Sequence, residues 1–94
     1  MTIKIKGPYK IAPEKLKRYA THYNIPADRS LVVPIKAFED EVSCDIRWED
    51  DNGELQWVQN KIFIFRNLVP LNPLLDKKLQ ELWQHYYPIQ NKPE

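Results

Sequence analysis

Glycine and cysteine are nearly missing from this chain: Gly7, Gly53 and Cys44 are the only ones among 94 residues. A phosphate-cradling loop needs several glycines at close spacing, so P-loop and dinucleotide-binding signatures are excluded. A lone thiol makes no internal disulfide. With only His22 and His85 beside it, the chain is a poor stock for structural zinc, which usually takes four Cys/His ligands. No apolar run approaches the ~18 to 20 residues of a membrane span, and the opening MTIKIKGPYK lacks the apolar stretch of a secretory signal. A cytoplasmic protein is expected. The length leaves no room for a second core of ordinary size. Residues 1–88 are therefore expected to form one domain, and the short, polar, proline-containing 89–94 a disordered tail.

What is present is apolar and aromatic. Apolar residues make up 43% of the chain and aromatics 12%, so packing alone has to hold the core. Charge is balanced in total and uneven in place. Residues 1–36 hold eight basic side chains against Glu14 and Asp28, whereas residues 37–60 hold eight acids against Arg47 alone. Either the two segments neutralise each other within the fold, or they leave a basic side and an acidic side that can steer a charged partner.

The hydrophobic periodicity alternates between the two secondary-structure periods. Ile3 and Ile5 alternate with Thr2, Lys4 and Lys6, which predicts a short edge strand. Pro13 fits a first helical turn, and Leu16, Tyr19, Ala20 and Tyr23 follow at the spacing of one helical face, predicting a helix over 13–23 that stops at Asn24 and Pro26. Leu31 to Val33 precede Pro34, whose missing N–H points to an edge strand or a bulge. Val42, Cys44, Ile46 and Trp48 alternate with polar residues as a half-buried strand does. Asn52-Gly53 then signals a hairpin. If its turn has two residues, Trp48 stands opposite Trp57 on one face. The pattern slips at Gln59-Asn60, and Lys61 to Arg66 carry apolar residues on both faces, as the middle strand of a sheet would. Asn72 and Pro73 open a second helix over 73–87, with Leu75, Leu79, Leu82, Trp83 and Tyr86 on its apolar face.

The candidate chemistries are thin. The acidic turn WEDDNGELQW places Asp50, Asn52 and Gly53 at positions three, five and six of a calcium loop, but Trp48 and Gln59 stand where its first and twelfth ligands belong. Cys44 belongs to the buried series of its strand, and neither histidine has a local signature linking it to that thiol, so a core cysteine is expected rather than a nucleophile. The acids lie in a hydrophilic run without the apolar pocket that raises a general acid, and Asp45, flanked by apolar residues, still falls on the polar face by strand parity. No catalytic residue, cofactor or metal site is expected.

The order of strand, helix, several strands and helix predicts an α+β domain: a mostly antiparallel sheet of four to five strands with two packed helices. Its middle, with short strands, the Asn-Gly hairpin and the segment from Asn67 to Leu71, resembles a small SH3-like barrel over about half the chain, and the resemblance assigns no residue a role. With no catalytic constellation and a high aromatic content, the expected function is a non-catalytic interaction module that binds a protein partner or itself. Its candidate contacts are Trp48, Trp57 and Phe63, the last chosen over Phe65. The alternative is single-stranded nucleic-acid binding through Lys4, Lys6, Lys10, Lys15, Lys17 and Arg18, which are interleaved with Tyr9, Tyr19 and His22.

Overall fold

The structure, a computed structural model, describes residues 8–86. The chain runs through β1 (Tyr9–Ile11), α1 (Leu16–Tyr23), β2 (Leu31–Phe38), β3 (Glu41–Glu49), β4 (Leu55–Ile64), β5 (Leu68–Pro70) and α2 (Lys77–Tyr86). Short 3-10 turns occupy Pro13–Lys15, Ala27–Arg29 and Phe65–Asn67. All strand pairs are antiparallel, in the order β4-β3-β2-β1-β5, which makes the α+β fold that the order of elements suggests. The sheet does not close. Strands β4 and β5 are its two edges, so the resemblance to a barrel stops at the rhythm of the strands. The strand expected at Thr2 to Lys6 and the tail at 89–94 lie outside the described residues.

Each helix covers one face of the sheet. Tyr19 of α1 is buried with Val32, Val42, Cys44, Ile46 and Phe63, and Leu16, Ala20 and Tyr23 pack around them. Asn24 ends this helix in the left-handed conformation (φ 56°, ψ 52°), which a short polar side chain tolerates better than most. The buried Asn67 side chain donates to the Tyr19 hydroxyl at 3.0 Å, so neither polar group is left unsatisfied inside. Leu31 and Val33, which alternate with Val32 along β2, point to the opposite face, where Leu79 and Leu82 of α2 cover them and Trp83 packs alongside.

Three expectations are corrected, and of the two readings of Pro34 the bulge is the one found. Lys61 to Ile64 belong to β4, an edge, and Phe65 to Asn67 form a 3-10 turn, so the segment expected in the middle of the sheet lies at its margin. Its apolar character on one face comes from Phe63 in the core, while Ile62 on the other face stays exposed. The central strand is β2, and Pro34 sits in it rather than at an edge. That residue is tolerated because the register slips between Pro34 and Lys36, the bulge the sequence offered as the other possibility, and because β1 pairs with β2 only at Tyr9–Val32.

The second helix begins later than expected. Asn72 Oδ1 accepts from the N–H groups of Leu74 and Leu75, closing a separate turn, and the helix proper starts when the Asp76 carbonyl accepts from Gln80 N–H. Leu75 thereby leaves the apolar stripe and is 80% exposed.

The hairpin register is the third correction. Gly53 N–H donates to the Asp50 carbonyl, Asp50 N–H donates to the Glu54 carbonyl, and only Gly53 (φ 80°) has positive φ, so the loop has three residues with a bulge at its glycine. Arg47 therefore faces Trp57 and Trp48 faces Gln56. One residue of slip puts the two tryptophans on opposite faces of the sheet.

Candidate interaction surface

The β4 strand carries the site. It holds its turn through Asp50, whose carboxylate accepts from the Asn52 and Glu54 N–H groups and from the Gln56 side chain. The Glu54 bond first, then the Gln56 and Asn52 bonds, hold that carboxyl below its ordinary pKa. Midway along, Gln59 and Asn60 oppose Asp45 alone, with Asn60 at φ 60°: this is the bulge that the slipped pattern announced. The extra residue lets Leu55, Trp57, Ile62 and Ile64 fall on one face despite the odd spacing between Trp57 and Ile62, as their partners Glu49, Arg47, Ser43 and Glu41 show.

Helix α2 lies over that face only where Leu31, Val33 and Leu55 are. Beyond it, among the described residues, large apolar side chains are exposed. Trp57 is 55% exposed, Ile62 43%, and Phe38, two strands away at the end of β2, 53%. Cations stand over two of these rings: the Arg47 guanidinium is 5.7 Å from the Trp57 ring, and the Lys36 ammonium is 5.1 Å from that of Phe38.

Of the residues chosen from the sequence, Trp57 alone lies on this surface. Trp48 is half-buried and packs against the α1-side core. Phe63 is 1% exposed and its ring centroid lies 4.6 Å from that of Tyr19, so it is a core residue and no partner reaches it; Phe65, half-buried, packs on Tyr9 instead. Ile62 and Phe38 were missed. The bulge, visible in the sequence only as the slip at Gln59-Asn60, decides the face of Ile62, whereas the exposure of Phe38 depends on where α2 packs and leaves no local signal.

The basic residues do not form one track. Lys10 is tied to Asp76 at 2.9 Å beneath the start of α2, while Lys17 and Arg18 are exposed on α1, across the sheet, beside the C-terminal half of β4. Lys4 and Lys6 lie outside the described residues, and Lys15 is half-buried in the turn before α1. Near Lys17 and Arg18 the Tyr23 hydroxyl donates to the Ile62 carbonyl, and burial, then the adjacent Tyr19, raise its pKa so that it keeps its proton. Lys61 stands 5.5 Å over the Tyr23 ring.

The groups with catalytic potential are dispersed. Cys44 is fully buried, its thiol pushed up to about 12 by burial and by the Asp45 charge, and its nearest polar partner is the Val42 carbonyl at 3.7 Å. His22 and His85 are exposed on different helices. Among the described residues no group of three or more His, Cys, Asp or Glu side chains is placed to hold a metal ion. A cleft of about 760 Å³ between the hairpin tip and α2 is lined by Glu49, Asp50 and Asp76 with Leu55 and Leu79, and Lys78 and Lys10 already engage two of those acids. No helix of the described residues is long and apolar enough to cross a membrane. No known protein family, curated protein or solved structure matches this chain.

Proposed function

We propose that this protein is a non-catalytic interaction module of the cytoplasm that docks a protein partner, or a second copy of itself, on this exposed apolar part of the sheet. The observation that carries the proposal is the exposure of Trp57, Ile62 and Phe38 on the face of the sheet that α2 covers at Leu31, Val33 and Leu55. Large apolar side chains gathered on a rigid sheet, with Arg47 and Lys36 beside two of the rings, have the composition of an interface centre, in which aromatic and arginine residues dominate the binding energy.

The experiment compares partners retained by the tagged wild type with those retained by Trp57→Ala and Ile62→Ser, each checked for an unchanged melting temperature. At least a tenfold loss of affinity for the same partner is expected from either substitution. Undiminished binding by both variants would remove the surface from consideration. Binding of random single-stranded oligonucleotides that weakens log-linearly with salt would move the function to nucleic acid instead.

A further inference from the structure

We infer that the partner at this surface is a second copy of the chain, joined edge to edge through antiparallel pairing of β4 with β4; the inference rests on the interaction-module reading and narrows it. Strand β4 has ten residues, one neighbour and an outer edge that no described strand pairs. An open edge of this length is a template for another strand, and proteins that remain monomeric blunt such edges with charge, proline, bulges or cover. Here the strand contains a single charge, Lys61, one bulge, at Gln59-Asn60, and no proline. Among the described residues its cover is Tyr23, whose hydroxyl donates to the Ile62 carbonyl and whose ring lies under Lys61.

The charges at the two ends of β4 select the orientation. At its start stands the acidic hairpin tip, with Asp50, Glu54 and an Asp51 that Arg29 engages at 3.3 Å; beside its end stand Lys17 and Arg18 of α1, with Glu41 on the same surface. These ends are about 30 Å apart at the rise of an extended strand, several Debye lengths at physiological salt, so each interacts only with what lies next to it. A parallel partner would set acid beside acid and base beside base. An antiparallel partner related by a two-fold axis sets the acidic tip of each copy beside the basic helix of the other, twice over, which is the self-complementarity an isologous interface requires.

The apolar residues agree with that orientation. Centring the pairing on the Gln59-Asn60 bulge places Trp57 opposite Ile62 of the second copy and Leu55 opposite its Ile64. Aromatic and β-branched residues make favourable cross-strand pairs, and all four side chains share one face, on which Trp57 and Ile62 are exposed while Leu55 packs against the α2 cluster.

The test is sedimentation of the wild type at about 100 µM and low salt, where a dimer mass is expected that weakens as salt screens the two ends. Trp57→Lys, on the edge, should weaken dimerisation at least tenfold, as should Lys17→Glu with Arg18→Glu. Combining those two with Asp51→Lys and Glu54→Lys should restore it, an outcome that a fold defect cannot produce. A monomer under these conditions, or a dimer indifferent to all of these changes, overturns the inference. A photo-crosslinking residue at position 62 separates it from the broader reading. Crosslinks to the chain itself support both, crosslinks only to another protein leave the interaction module standing and remove the dimer, and a monomer without crosslinks removes both.

Discussion

Trp57 and Phe63 lie six positions apart on one strand and answer to opposite demands. Phe63 touches Tyr19 and Tyr23 across the α1-side core, so Phe63→Ala is expected to cost about 3 to 5 kcal/mol in urea unfolding, through lost burial and the cavity left behind. Trp57→Ala leaves that core intact and is expected to cost less than about 1 kcal/mol. The two hairpin tryptophans should differ in the same sense: emission from a variant retaining only Trp48 is expected to be blue-shifted and resistant to quencher relative to one retaining only Trp57. Equal emission from both would return them to one face. Cys44 supplies a third residue-scale outcome. Its buried thiol, pushed up to about 12, should resist alkylation at neutral pH in the folded protein and react promptly once denaturant exposes it. Labelling of the native protein at the denatured rate would place the thiol outside the core. The period-two pattern was enough to place Cys44, because a strand has only two faces. Choosing Phe63 or Phe65 as the exposed one failed, because the strand ends between them and parity has no meaning past its end.

Elements are governed by their ends. The hairpin depends on one glycine: Gly53 at φ 80° has nothing within 4 Å of where a Cβ would stand, so Gly53→Ala meets no neighbouring atom but strains its own backbone in the left-handed region, costing about 1 to 2 kcal/mol by thermal or urea unfolding. A loss several times larger would mean that the side chain meets something at the tip. The existence and place of this turn were legible in Asn-Gly. Its length was not, because the same dipeptide serves two-residue and three-residue loops, and that one residue moved Trp57 from the face of Trp48 to the other. The second helix shows the same sensitivity. Asn72 and Pro73 do open a turn, but Asp76, held by Lys10 and by the Asn72 N–H, starts the helix afresh, and Leu75 is left outside.

At the scale of the whole molecule, the Lys10–Asp76 pair fastens α2 to β1 across a sequence separation of 66 residues. Burial pushes the Asp76 carboxyl up, and the Asn72 N–H and the Lys10 ammonium outweigh it, so its pKa in the folded protein lies below the ordinary carboxylate value. A lowered folded-state value contributes stability that is present above the unfolded pKa near 4 and is lost as pH falls through the folded one. Acid titration of unfolding should therefore show a loss of stability below about pH 4 that is smaller in Asp76→Asn. That variant is expected to be less stable at neutral pH by about 1 to 3 kcal/mol, the range for a hydrogen bond to a charged group. An unaltered acid limb would show that α2 is held by Leu79 and Leu82 alone.

Composition and period by themselves determined the class of this protein, the approximate extent of the first helix, the existence of the second, the buried series of β3 and the place of the hairpin, because these depend on neighbours a few residues away. Strand order, the length of the Asp50–Glu54 loop, the opposite placement of the two helices and the exposure of Trp57, Ile62 and Phe38 were decided by the tertiary structure. Each of those depends on a register or a covering element contributed by distant parts of the chain, and a single residue of slip in an antiparallel pair exchanges the buried face for the open one.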